Sequence, residues 1–266
     1  MAGLLGKGLF RKGSEVRYSD LHCHILPGLD DGAADDKAAT NMARMAWESG
    51  ARRLFATPHY MPGVYAPSPE TIASSVKSLR EKIAAEGLGL EIIEGSEVSL
   101  TERLAKDYQE GLIVTLGESD FVLVELPSYS LPTHAADEFF ALRLAGAGVI
   151  LAHPERNSEI RSDPAILREM VDSGLYLQVN AGSLVGEYGK AFRMRVLACD
   201  VRKLVQEGFA HFLGSDAHSG THRDLLRGGP DVYAAVCEVF PSRAERSRFV
   251  GAVEERVDDL LAGRLR

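Results

Sequence analysis

Short apolar, β-rich runs alternate with longer amphipathic runs through almost the whole sequence, and this alternation restricts the fold more than any other feature. The runs at 16–21, 53–56, 90–94, 121–125, 149–152, 175–179 and 211–213 read as strands. Helical patterns fill 34–49, 69–86, 133–145, 164–173 and 190–207, and two more follow the last strand at 231–240 and 242–262. Ser68-Pro69 and Asp163-Pro164 supply helix-start signals, because proline at the first helical position lacks only an N–H that would be unpaired anyway. The 107–116 region has the least clear pattern. Alternation of this kind predicts parallel strands with helices packed outside them. Seven strands in 266 residues predict one seven-stranded β/α barrel of the TIM-like kind over 16–266. The first 15 residues are expected to be either a mobile tail or a weakly docked surface segment.

The formal net charge of -8 and the lack of a long basic run exclude the cationic footprint that nucleic-acid binding requires. No apolar run is long enough to span a bilayer, and the start of the chain lacks the apolar core of a signal peptide, so no membrane insertion is expected. Cys23, Cys199 and Cys237 are too few and too scattered for a disulfide framework, which fits a reducing cytoplasm. Oligomeric state is left open.

Ligand-type side chains collect just beyond the strands. The first strand runs into Asp20-Leu21-His22-Cys23-His24, then Asp30 and Asp31; the second into His59, the third to Glu97, the fourth to Glu125, the fifth to His153, and the seventh to Asp216 and His218. Barrel enzymes build their sites at this rim. His22 and His24 lie two apart on a strand and so share a face, which lets both imidazoles reach one ion. Alone, an H-x-H pair or a single glutamate would be weak evidence; the joint placement carries the reading. The donors outnumber what one ion needs, which implies two or three ions sharing carboxylates, and mixed imidazole and carboxylate donors favour Mn, Fe or Zn. Arg156 and Arg223 stand beside these residues, where guanidinium groups would grip phosphate oxygens; the plainer alternative is surface pairing with Glu155 or Asp224. Cys237 and Arg243 have the C-x5-R spacing of thiol phosphatases, but the intervening loop lacks glycine and includes Pro241, so it cannot curl successive N–H groups around phosphate.

At DLHCHILPGLDDG (20–32), ATPH (56–59), GSEV (95–98), VELP (124–127), AHPERN (152–157), QVNAGSL (178–184) and GSDAH (214–218) the chain resembles the polymerase and histidinol phosphatase (PHP) family. More narrowly, it is similar to the bacterial tyrosine-protein phosphatases of capsule and exopolysaccharide systems. The resemblance implies a distorted seven-stranded barrel, the PHP fold, with three metal ions, manganese first and iron or zinc as alternatives. It implies one ion held by His22, His24, Glu97 and Asp216, and a second held by Glu97, Glu125 and His153. The third would take Asp31, His59 and His218, with Arg156 and Arg223 on phosphate. Of the two neighbouring aspartates, Asp31 rather than Asp30 matches the ligand position. The implied reaction is phosphotyrosine hydrolysis by a metal-bridging hydroxide, on a membrane-associated bacterial tyrosine kinase. The rivals are a small-molecule phosphatase such as histidinol phosphatase, a nuclease of the same family, and a non-catalytic barrel that docks a kinase. Asn180 is expected to support the ligands; His134 and His211 are expected to be structural.

Overall fold

The computed structural model describes residues 17–184, 203–218 and 232–265. The expected N-terminal tail, most of the helix expected at 190–207, Cys199, Arg223 and its neighbour His222, a candidate substrate contact in the sequence, lie outside those residues.

The chain is a mixed α/β structure whose strands all pair in parallel. β1 (Tyr18–Cys23), α1 (Asp36–Ser49), β2 (Ala51–Ala56), β3 (His59–Tyr60), α2 (Pro69–Ala85), β4 (Glu91–Glu94), β5 (Glu97–Ser99) and α3 (Leu104–Gln109) form the first half. β6 (Phe121–Glu125), α4 (Ala135–Leu144), β7 (Gly148–Ala152), α5 (Ser158–Ser162), α6 (Ala165–Asp172), β8 (Tyr176–Asn180), α7 (Ala181–Leu184) and β9 (Phe212–Gly214) follow. Two further helices, Val232–Val239 and Arg243–Leu261, end the described chain. Local chemistry accounts for the helix boundaries. Asp35 caps α1 by accepting from the Ala38 N–H, and Gly50 ends it in the left-handed conformation. Ser68 caps α2, with Pro69 in its first turn.

One sheet has the order β1-β2-β4 and the other β3-β5-β6-β7-β8-β9. The parallel α/β architecture agrees with expectation, but the strands form two sheets where one seven-stranded ladder was expected. The strands expected at 53–56 and 90–94 are present as β2 and β4, and each is followed after two residues, Thr57-Pro58 and Gly95-Ser96, by a short strand that was not expected, β3 and β5, which lies in the other sheet. Pro58 has no N–H for a ladder, yet its carbonyl accepts from Glu97 N at 3.0 Å and bridges the break between β2 and β3. At the other margin, Asp216 N donates to the His22 carbonyl (2.8 Å) and His24 N donates to the Ala217 carbonyl (3.0 Å), so β1 lies against the segment leaving β9. The unclear 107–116 stretch holds the end of α3.

Alternation along the strands sorts side chains between two environments. Val122, Val124, Val149, Leu151 and Leu177 pack into a cluster with α4 and α6 residues such as Phe139, Leu142 and Leu167. Leu21, Phe55, Ile93, Leu123, Ile150 and Phe212 form a separate cluster, closed by Val257 and Leu260 of the last helix. Burying each such side chain contributes about 1.5–3 kcal/mol. The same alternate positions become polar toward the carboxyl ends: Leu123 gives way to Glu125, and Tyr176 to Gln178 and Asn180. Cys23 is buried in the third cluster among residues of α1 and α2, away from its histidine neighbours. No helix among the described residues is long and apolar enough to cross a membrane.

Candidate metal centre

The carboxyl ends of the strands bring His22, His24, Asp31, His59, Glu97, Glu125, His153, Asp216 and His218 together in four overlapping groups, with the ligand atoms in each within 4.8 Å of one another. Glu97 is central. Its Oε2 lies 3.2 Å from His22 Nε2, 3.3 Å from His24 Nε2 and 3.0 Å from His59 Nδ1, and its Oε1 lies 2.8 Å from His153 Nε2. Asp216 Oδ1 is 3.6 Å from His22 Nε2 and 3.4 Å from His24 Nε2, which are themselves 3.0 Å apart. A tetrahedral ion with bonds of about 2.0–2.2 Å places its ligand atoms about 3.3–3.6 Å from each other, and His22, His24 and Glu97 come together at about this spacing, with Asp216 facing the same two imidazoles. Asp31 Oδ1 lies 3.6 Å from His59 Nε2 and 3.5 Å from His218 Nε2, marking a second convergence. Glu125 stands 4.0 Å from both His59 Nδ1 and His153 Nε2.

Among the described residues, Glu97 Oε2 and His59 Nδ1 are buried and have no hydrogen-bond partner. A carboxylate oxygen crowded by three imidazole nitrogens at poor hydrogen-bonding angles is costly unless a cation lies between them. The surrounding polar groups turn the imidazole lone pairs inward. His22 Nδ1 donates to Gln178 Oε1 (3.0 Å), His24 Nδ1 to Asp30 Oδ2 (2.7 Å) and His218 Nδ1 to the Asp216 carbonyl (2.9 Å), leaving each Nε2 to face the centre.

The electrostatics reflect this crowding. Burial opposes charge on His22, but the Glu97 and Asp216 carboxylates outweigh it and raise its pKa to about 9. Burial likewise opposes ionisation of Glu97 and Asp216, yet the facing histidines hold both carboxyls well below their usual range. Glu125 is pushed up, first by burial and then by the Glu97 charge. His153 and Asp216 have positive φ (31° and 53°), the non-glycine residues that do so among those described. That left-handed backbone is unfavourable for an L-residue and turns both side chains in at the strand ends.

Two glycines are required by close approach. A Cβ on Gly214 would lie 2.6 Å from the His22 Cβ and from Gln178 Nε2, and one on Gly32 would lie 2.1 Å from the His24 carbonyl oxygen. Arg156 reaches the site from a short 3-10 turn after β7, donating from Nη1 to Asp216 Oδ2 at 2.8 Å, with the side chain 38% exposed. It pairs with a ligand-type carboxylate and not with its neighbour Glu155, whose Oε1 accepts from Asn180 N and Ser183 Oγ.

Several contributors escaped the sequence reading. Asp30 is buried behind His24, accepting also from the His59 and Gly32 N–H groups, whereas Asp31 is 54% exposed at the mouth. Asp20 ties His22 N to Ser215 N, and its burial raises its pKa. Gln178 lies behind His22. Its signal was present, since it shares a strand face with Asn180 two positions on.

The family described as capsular polysaccharide synthesis, CpsB/CapC, matches residues 18–227. The tyrosine-protein phosphatase YwqE of Bacillus subtilis (strain 168) is 36% identical over 206 residues, covering 77% of this chain and 79% of the relative. The tyrosine-protein phosphatase CpsB of Streptococcus pneumoniae is 24% identical over 247 residues, covering 91% and 99%. Among solved structures, the work on YwqE from Bacillus subtilis and CpsB from Streptococcus pneumoniae, metal-dependent tyrosine phosphatases, gives a match with a TM-score of 0.80 at 32% identity, covering 92% of this chain and 95% of that one.

Proposed function

This chain belongs to the CpsB/CapC family of capsular polysaccharide synthesis, and from that premise we propose that it is a metal-dependent protein-tyrosine phosphatase. The observation that carries the reading is Glu97 Oε2, a buried carboxylate oxygen that has no hydrogen-bond partner among the described residues and lies among three imidazole nitrogens at 3.0–3.3 Å. A cation shared by these donors resolves that arrangement. We assign His22, His24, Glu97 and Asp216 to one ion, Glu97, Glu125 and His153 to a second, and Asp31, His59 and His218 to a third. The all nitrogen-and-oxygen donor set supports manganese, with iron or zinc as alternatives. We read the two sheets as one distorted seven-stranded barrel; the bond bridging the Thr57-Pro58 break and the contacts between β1 and the segment after β9 support this.

When bound, such ions acidify solvent water and neutralise phosphate charge. The chain's own residues do the rest. Glu97 would be shared by two of these ions. Arg156, half-exposed beside Asp216, would receive phosphate oxygens entering from the mouth, and Arg223, outside the described residues, is assigned the same role. The exposed side of Asp31 and His218 leaves that mouth open to a protein-borne phosphotyrosine. A phenolate leaves with a parent pKa of about 10, so a general acid is less needed than for an alkoxide. The substrate proposed is a membrane-associated tyrosine kinase of polysaccharide synthesis, met from the cytoplasm, in keeping with the free thiols of Cys23 and Cys237.

The test is phosphate release from a phosphotyrosine peptide and from histidinol phosphate, with elemental analysis of the protein before and after chelation. Chelator-sensitive release from the peptide is expected. Preference for histidinol phosphate, or activity untouched by complete metal removal, overturns the reading.

A further inference from the structure

Gln178 and Asn180 lie two positions apart on β8, fully buried and on the same face. Three hydrogen bonds join them into a chain between two of the residues assigned to one ion. His22 Nδ1 meets Gln178 Oε1 at 3.0 Å, Gln178 Nε2 donates to Asn180 Oδ1 at 2.9 Å, and Asn180 Nδ2 donates to Asp216 Oδ2 at 2.8 Å.

The direction of this chain is forced. An ionised carboxylate accepts and cannot donate, so Asn180 must turn its NH2 toward Asp216 and its carbonyl toward Gln178. Gln178 must then present its NH2 to Asn180 and its carbonyl to His22. A carbonyl can be satisfied only by a donor, so His22 must carry a proton on Nδ1, which leaves Nε2 as the nitrogen that an ion beside Glu97 and Asp216 would take. We propose that Gln178 and Asn180 are positioning residues that form a two-amide relay, through which the charge of Asp216 fixes the tautomer and ring orientation of His22. The relay also engages Oδ2 of Asp216, together with Arg156, and leaves Oδ1 as the atom facing the two imidazoles. β8 sends no ligand of its own to the centre, yet it aligns ligands that arrive from β1 and from beyond β9.

This inference rests on the metal centre proposed above, and its test separates the two. Gln178→Met and Asn180→Leu keep volume and burial while removing the hydrogen bonds. Manganese affinity and stoichiometry are measured by calorimetry on the chelator-stripped full chain and on both single variants and the double variant. Each single variant is expected to weaken one metal equivalent about tenfold to a hundredfold. Because a relay acts as a unit, the double variant is expected to lose no more than the worse single one. Affinities within twofold of the parent, or losses that add, overturn the relay alone; a parent chain that takes up no metal overturns the centre itself and the relay with it. If the variants do not fold, nitrogen-15 histidine labelling of the zinc-loaded parent decides the matter. The His22 ring should show an exchange-protected Nδ1–H close to Gln178, and an unprotonated Nδ1 overturns the proposal.

Discussion

Arg156 Nη1 donates to Asp216 Oδ2 at 2.8 Å, which joins the residue proposed to grip phosphate to a proposed metal ligand. Loss of the guanidinium therefore strikes twice, at phosphate binding and at the carboxylate. Arg156→Ala is expected to lower kcat for a phosphotyrosine peptide by about a hundredfold or more. Arg156→Lys should recover little, since an ammonium cannot reproduce the fork of donors. Steady-state kinetics on folded variants check this, and near-parent kcat in Arg156→Ala would refute the role.

Glu97→Gln keeps the shape of the side chain but removes the charge facing His22, His24, His59 and His153. Two proposed metal positions share this residue, so the variant is expected to lose more than one metal equivalent and nearly all turnover. Elemental analysis after gel filtration gives the answer, and parent metal content would remove Glu97 from the centre.

Metal and protons compete for the same atoms. In the metal-free chain His22 titrates near 9 because Glu97 and Asp216 outweigh its burial, so at pH 7 it is protonated and a cation must displace that proton. Manganese affinity is expected to fall as pH drops from 9 to 7, with proton release seen as a buffer-dependent binding enthalpy in calorimetry. At a free concentration a hundred times the Kd, one bound ion stabilises the fold by about 2.7 kcal/mol, which a thermal melt with and without chelator should detect.

Gly214→Ala places a methyl group where the His22 Cβ and the Gln178 amide already stand. The substitution is expected to destabilise the protein by about 1–3 kcal/mol and to depress metal binding in parallel. Denaturant unfolding and calorimetry are the checks. A neutral effect on both would mean that the backbone there gives way without disturbing the site.

His211 acts far from the centre, on stability. Burial, aided by Arg256, lowers its pKa from 6.5 to about 4, and its Nδ1 accepts from the Leu177 N–H, which only an unprotonated nitrogen can do. The unfolded chain therefore binds a proton that the folded chain refuses between pH 6.5 and 4. Stability should fall as pH drops through that window and level off below it. His211→Gln is expected to flatten this part of the curve in denaturant titrations at pH 7.5 and 5.

The parallel α/β architecture and the gathering of donors were legible because both depend on periodicity. Strand alternation put His22 and His24 on one face, and the carboxyl ends of parallel strands are where a β/α chain must present its polar side chains. The short strands β3 and β5 that follow Thr57-Pro58 and Gly95-Ser96 were not legible, since runs of two and three residues carry no period. α5 and α7, of five and four residues, are too short to show a helical period. Asp30 and Gln178 were missed for a different reason. Their partners are fixed by three-dimensional approach, and nothing local separates an aspartate that holds an imidazole from one that merely follows a turn. The partner of Arg156, Asp216, sixty positions away, was beyond sequence reasoning.

The division of the strands into two sheets bears on how the molecule wears its own active site. His22 and His24 sit at the end of one sheet, whereas His59, Glu97, Glu125 and His153 belong to the other, so the ion assigned to His22, His24, Glu97 and Asp216 would lie across the seam like a rivet through overlapping plates. A protease given the stripped chain should find its cuts along this junction, and loading the metal should erase them.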